Sequence, residues 1–428
     1  MTLAGHTQLM FHRSNSVALW AVVVLGVLLR GAAMLQGARA FDDPDNYLPL
    51  ARAVAAGDGF SLNGRPTAYR PPLYPLLLAP SISVLGERVA WGIALFHLAL
   101  GAGTVLLTAA AARFSGLSPA RSILAAFVTT CDPVLVWQSR SVMTETPAAF
   151  LLAATLAALG LRGWRGPVLG GVGLGLAALC RPSMLAGAAL TLVAALVVHP
   201  GDRRTRLIRG TLLGMTVLLV LFPWLVRNLL VFGEPIWTTT HGGYTLALAN
   251  NPVYYDDVLR GPPGRVWTGH DQWLWWDSVN RQTAGMTEAQ ADRYLRQTVW
   301  QVIRERPADF ARATVARLGH FWSLAPAAAV YSGGVRWATM AWTVPLWLAV
   351  ALGLPRRDLW RWPRIAAPLA AIGLALVHGL FWTDLRMRAP IVPAISLIAA
   401  GAGLPLATRK PASELDEQHR SCQGWPVD

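Results

Sequence analysis

The chain has 428 residues, of which 54% are hydrophobic and only 14% charged, and its mean hydropathy of +0.40 is too high for a soluble protein of this size. Its formal net charge of +14 sits in short segments between apolar runs, as in loops kept on the cytoplasmic side of a membrane, which makes nucleic acid a poor explanation of the charge. Cys131, Cys180 and Cys422 have no metal-ligand spacing and no disulfide pattern.

In chain order, His12 and Arg13 precede an apolar run at 17–35 that lacks a small-residue cleavage site, so it reads as an uncleaved first helix with a cytoplasmic start. Arg30 falls near its outer end, either snorkelling to the headgroups or reaching into a site. Residues 36–71 read as an outer loop, with an amphipathic helix carrying Tyr47, Leu50 and Val54 at helical spacing. The next apolar stretch, 72–86, is short and holds Pro72, Pro75 and Pro80, so a surface helix is expected rather than a span.

Crossings are then expected at 89–112, 119–137, 146–161, 167–180, 183–199, 207–231, 337–354, 364–382 and 390–406. Their inner ends carry Arg113 and Arg121, Arg162 and Arg165, the run Arg203, Arg204, Arg206 and Arg209, Arg356 and Arg357, and Arg409 and Lys410. That alternation follows the positive-inside rule. Gly170, Gly171, Gly173 and Gly175 predict close helix packing. The fold expected is thus an all-α polytopic bundle of about ten transmembrane helices with juxtamembrane helices and a small extracytoplasmic domain. Its divisions are a module at 1–231 with a catalytic outer loop at 36–88, an outer domain at 232–336, C-terminal membrane helices at 337–407 and a polar cytoplasmic tail at 408–428. The outer domain is expected to contain two helices that break at Pro307. Both chain ends fall in the cytoplasm.

On this topology Asp42, Asp43, Asp45, Arg70, Arg140, Glu145, Arg181, Arg227, Arg386 and Arg388 gather at the outer leaflet. Two acidic loops beside several arginines supply a base, or a carboxylate that orients an acceptor, next to an anion site. Guanidinium forks suit a phosphate and apolar surface helices suit a lipid tail. The alternative is an ion-pair network that only staples the loops. Trp237, Trp267, Trp273, Trp275 and Trp276 read first as core or interface, and second as sugar-stacking residues. His270 and His320 read as structural.

Six stretches occur in a telling order: DPDNYLPLAR at 43–52, RPPLYPLLLA at 70–79, SRSVMTE at 139–145, CRP at 180–182, PWLVRN at 223–228 and RMRAP at 386–390. Together they resemble the GT-C membrane glycosyltransferases, in the branch of the protein O-mannosyltransferases and lipid A aminoarabinose transferases, over residues 15–405. The resemblance implies transfer of a sugar from a polyprenyl-phosphate donor to an extracytoplasmic glycan, lipid or protein acceptor, with inversion, at the outer face of the cytoplasmic membrane. It makes Asp43, four residues before Tyr47, the catalytic carboxylate and gives Glu145 the second acidic motif. Arg70, Arg227 and one of Arg386 or Arg388 become the donor-phosphate ligands, supported by Asp42, Asp45, Tyr47, Arg140 and Arg181. Pro44 stands where the family often has Glu, and Arg70 stands where it often has Lys or His. No cofactor is implied. A divalent ion between Asp43, Asp45 and Glu145 is the less favoured alternative. A secondary transporter, or a non-catalytic lipid-binding assembly protein, are the rival functions, and the chain shows no internal repeat of the transporter kind.

Overall fold

The computed structural model describes residues 3–36, 41–261, 267 and 270–402, with side chains from residue 15. The polar tail, Arg409, Lys410, Cys422 and the end of the 390–406 segment lie outside the described residues. The chain opens with α1 (Leu3–Leu35), followed by the short α2 (Tyr47–Ala56) and by strands β1 (Ser61–Leu62) and β2 (Arg65–Pro66). The strands pair antiparallel, Leu62 against Arg65, around Asn63 and Gly64, whose φ values of 52° and 73° are those of a two-residue turn that only such residues enter cheaply.

Helix α3 (Leu73–Leu85) passes through a tight turn at Gly86–Arg88 into α4 (Val89–Phe114). The expected surface helix is therefore joined to a span; Pro72 and Pro75 fall at the start of α3, where a missing N–H is tolerated, and Pro80 lies inside it. The expected single crossing at 119–137 is two helices, α5 (Pro119–Cys131) and α6 (Pro133–Gln138). Asp132 divides them by capping α6, accepting a hydrogen bond from Leu135 N at 2.9 Å. After these come α7 (Glu145–Leu159), α8 (Arg165–Cys180), α9 (Leu185–Val197) and the long α10 (Arg203–Phe232).

Between α10 and the last membrane helices lie α11 (Gly242–Ala249), α12 (Pro252–Tyr254), α13 (His270–Gln282), α14 (Glu288–Glu305) and α15 (Pro307–Phe321). Thr287 and Gln290 close a capping box on α14, and the break at Pro307 falls where the sequence puts it. This region has its own core of Tyr254, Tyr255, Trp267, Trp275, Leu295 and Val299. The chain then adds α16 (Gly333–Gly353), α17 (Ala366–Leu380) and α18 (Val392–Gly401).

Among the described residues, each segment expected to cross is mainly helical. Among the described residues four helical stretches are long and apolar enough to span, 15–35, 73–114, 203–232 and 333–353, and four shorter apolar helices accompany them. The protein is a polytopic helical membrane protein.

Helix α7 is buried along almost its whole length, between α4 and α8. Lipid tails are as apolar as leucine, so burial here rests on close packing rather than on water. Glycine supplies it. A Cβ added at Gly170 would meet Leu159 Cδ2 of α7 at 2.5 Å and one at Gly173 would run into Thr155 of α7, while Gly171 and Gly175 bring α8 equally close to α10, where added Cβ atoms would meet the Leu213 carbonyl oxygen and Val220 Cβ, each at 2.7 Å. Arg30 is 1% exposed and does neither of the things expected of it. Its Nη1 donates to the Gly26 and Thr130 carbonyls at 3.2 and 3.4 Å, and its stem fills the space over Gly101. Gly175→Val is expected to lower the melting temperature of the detergent-solubilised protein by the equivalent of about 1–3 kcal/mol. Gly31→Ala, where an added Cβ meets nothing within 4 Å, is expected to leave it unchanged.

Candidate functional site

The site starts with two loops that pair through their backbones. Phe41 N donates to Arg140 O at 2.6 Å and Val142 N donates to Asp42 O at 3.0 Å, so the acidic loop after α1 lies along the loop that leads into α7. The second loop is anchored from below by α4. His97 is fully buried; its Nδ1–H donates to Ser139 O at 2.7 Å, since a carbonyl can only accept, and the Tyr74 hydroxyl donates to its Nε2 at 2.8 Å.

Asp43 caps α2 from outside. One carboxylate oxygen accepts from Tyr47 N at 2.9 Å and the other from Leu48 N at 2.7 Å, which leaves lone pairs free on both oxygens. Burial raises the Asp43 pKa above its ordinary 3.8, and neighbouring Asp45 adds to the rise against those two bonds and Arg70. Tyr47 is buried at the same place. Burial lifts its hydroxyl pKa, and it feels the charges of Asp45, Arg70, Glu145 and Arg181 together.

Glu145 opens α7, where the helix N-terminus favours a negative charge. Its side chain is 0% exposed, and Arg181 Nη1 approaches one oxygen at 3.1 Å. The contact is one of charge rather than an aligned hydrogen bond, because neither carboxylate oxygen has a hydrogen-bond partner among the described residues. Arg181 instead donates through Nη1 to Thr144 Oγ1 at 3.1 Å and places Nη2 2.6 Å from Met387 Sδ. Buried carboxylates with unmet lone pairs are uncommon.

Arg386 completes the ring. Its Nε lies 3.3 Å from Asp384 Oδ2, and although burial works against its charge, Glu145, Asp384 and Asp45 raise its pKa above the usual guanidinium value. Asp384 accepts from Arg386 N at 2.8 Å, and burial raises its pKa. Arg70 donates to Asp45 at 2.9 Å and to His241 at 3.1 Å. Asp43, Asp45, Tyr47, Arg70, Glu145, Arg181 and Arg386 thus form one electrostatic neighbourhood.

Four expected members are placed elsewhere. Arg227 spends Nη1 on Thr67 O and Nη2 on Phe60 O, both at 2.8 Å; it fastens the β1–β2 hairpin to α10 instead of offering a phosphate fork. Arg388, 2% exposed, donates to Ser323 O at 2.5 Å and lies over the Trp347 ring. In the 3₁₀ turn at Leu385–Ile391 Arg386 and Arg388 reach different surroundings, so the motif provides one site arginine. Arg140 stacks on Trp137, 4.4 Å from the ring centroid. Asp42 is exposed and contributes its main chain. Among the described residues no three His, Cys, Asp or Glu side chains group as a metal site; Asp45 is held by Arg70 and both Asp43 oxygens by backbone.

Sequence reasoning missed Asp384, His97 and Glu288. Asp384 had a signal, an acid two residues before RMRAP. Glu288 had none: it accepts from Thr67 Oγ1 at 2.6 Å and Ala68 N at 2.9 Å, more than two hundred residues earlier in the chain, and from Thr240 Oγ1 at 3.0 Å. The tryptophans divide, Trp267 and Trp275 into core and Trp237, Trp273 and Trp276 to the surface.

Comparison with known proteins bears on part of the sequence and on the fold. Residues 72–233 match the family described as dolichyl-phosphate-mannose-protein mannosyltransferase. The fold is similar to an oligosaccharyltransferase from Archaeoglobus fulgidus tethered with an acceptor peptide containing the NVT sequon, with a TM-score of 0.54 at 14% identity over 95% of this chain and 50% of that one. The chain has the GT-C fold. The apo form of the same enzyme matches with a TM-score of 0.54 at 14% identity, over 90% of this chain and 50% of the other. The chain therefore spans about half the length of those structures. ArnT from Cupriavidus metallidurans bound to undecaprenyl phosphate aligns with a TM-score of 0.40 at 15% identity, over 99% of this chain and 82% of that one. No curated protein matches the sequence.

Within this site the Glu145–Arg181 pair is testable by itself. Arg181→Met leaves a buried carboxylate without its cation and is expected to cost about 3–5 kcal/mol of stability. Glu145→Gln in the Arg181→Met background is expected to recover part of that loss, as thermal unfolding of the four proteins in a double-mutant cycle would show.

Proposed function

We propose that the protein is an inverting glycosyltransferase that moves a sugar from a polyprenyl-phosphate donor to a hydroxyl acceptor at the outer face of the cytoplasmic membrane. One observation carries the reading: a buried carboxylate without hydrogen bonds, Glu145, stands in one charge cluster with Asp43, Arg70, Arg181 and Arg386. The match of residues 72–233 to the mannosyltransferase family and the GT-C fold support it.

In this mechanism Asp43 accepts or orients the acceptor hydroxyl's proton as its oxygen attacks the anomeric carbon. Glu145 receives a hydrogen bond from the acceptor and so holds the attacking group in line. The bond between sugar and phosphate breaks on the opposite face, and the charge that grows on the departing lipid phosphate is met by Arg70 and Arg386. Arg181 sets its positive charge beside Glu145 where that carboxylate is buried. Lipid phosphate is a good leaving group, so acid catalysis of its departure is not demanded.

Asp43→Asn is expected to reduce transfer at least about 100-fold while the protein still reaches the membrane, read by mass spectrometry of envelope glycans in a deletion strain complemented with each variant. Normal glycans with that variant would remove Asp43 from the chemistry. Because the Asp43 pKa is raised, activity that needs the carboxylate is lost as pH falls through a value above 3.8. Asp45→Asn takes away a repelling charge and is expected to move that acid limb to lower pH in the kcat/KM profile.

A further inference from the structure

Arg70 is held from two sides. Its Nη2 donates to Asp45 at 2.9 Å, and its Nη1 donates to His241 Nε2 at 3.1 Å. A guanidinium has only donors, so His241 Nε2 is a bare acceptor and the imidazole is neutral, with its proton on Nδ1. That Nδ1 has no partner among the described residues, which leaves Arg70 as the polar contact the ring makes through its side chain. Tyr69 meets the ring edge-on at 4.3 Å and Tyr244 stacks on it at 5.3 Å between centroids. Burial, and then the charge of Arg70, hold the His241 pKa below its ordinary range, which keeps the acceptor available.

The segments that carry the two residues are also tied. Thr240 N donates to Ala68 O at 3.0 Å, and Glu288 bridges Thr67, Ala68 and Thr240. The ring is thus fixed by its neighbours and turned toward the arginine. With one hydrogen from each Nη engaged, three of the five N–H groups of Arg70 remain to be offered in a defined direction.

We propose that His241 is a positioning residue: it aims Arg70 at the phosphate of the lipid donor, and through it the region between α10 and α16 sets the geometry of the donor site. This rests on the donor reading given under Proposed function. The imidazole does not touch the donor. It limits the rotamers of Arg70, which otherwise lose entropy on binding.

The test uses the purified full-length chain in detergent and compares binding of a polyprenyl phosphate with that of the matching polyprenol. His241→Phe keeps a flat ring between Tyr69 and Tyr244 and removes the acceptor. His241→Gln gives up the ring and restores an acceptor oxygen. The phosphate preference is expected to fall about tenfold in His241→Phe and to stay within about twofold of the parent in His241→Gln, with polyprenol binding unchanged and melting temperatures followed for every variant. The opposite order, with Phe like the parent and Gln impaired, would show that the ring only packs and would overturn the proposal while leaving the donor reading intact. A parent protein that binds both lipids equally would overturn the donor reading and this proposal with it.

Discussion

The structure depends on a carboxylate buried at the first turn of its most enclosed helix. Removing a charged group from water costs several kcal/mol, recovered only where an opposite charge and a favourable dipole meet it. At Glu145 both are present: the N-terminus of α7 and the Arg181 guanidinium at 3.1 Å. That requirement fixes neighbours in turn. Arg181 has to end α8, α8 has to lie against α7 through its glycines, and the 385–391 turn has to bring Met387 and Arg386 close. A buried pair of this kind is poor evidence of stability gained, since an apolar pair of the same shape commonly does as well. Among the described residues both of its carboxylate oxygens lack hydrogen bonds, which is what the proposed role of holding an acceptor hydroxyl requires.

A second constraint joins the part of the chain between α10 and α16 to the first loop. Glu288 on α14 holds Thr67, Ala68 and Thr240, Arg227 on α10 holds the carbonyls of Phe60 and Thr67, and His241 meets Arg70. The stretch from Phe60 to Arg70 is therefore held at both ends by later residues while its turn at 63–66 stays exposed, and the arginine that opens RPPLYP has little freedom. Each contact alone is modest, about 1 kcal/mol for an ordinary hydrogen bond and more where a charge takes part. Acting on one short stretch, they restrict it together.

Much of this was legible from sequence, and for definable reasons. Apolar runs of membrane length marked where the long apolar helices lie, because the bilayer imposes length and polarity at once. The two acidic loops and Arg181 were found because unpaired charge at a membrane surface is costly and so rarely incidental. What failed was anything that depended on where a guanidinium points. Arg227 and Arg388 stand in the expected motifs and at the expected level, yet both are consumed by backbone carbonyls. Arg30 turned inward because Gly101 leaves room for its stem, a contact across seventy residues. Asp132 broke an expected span since a helix-capping acid followed by Pro133 starts a new helix as readily as it sits within one. The Asn63–Gly64 hairpin was readable and overlooked; that dipeptide is the strongest short-range turn signal there is.

The decisive measurement is an experimental structure of the chain in lipid with a polyprenyl phosphate bound. The expected result is a phosphate group within about 3 Å of guanidinium nitrogens of Arg70 or Arg386, at the end of the bundle that holds Glu145, with the lipid tail running down the apolar helices. A phosphate held at the opposite end, among Arg203, Arg204, Arg206 and Arg209, would contradict it.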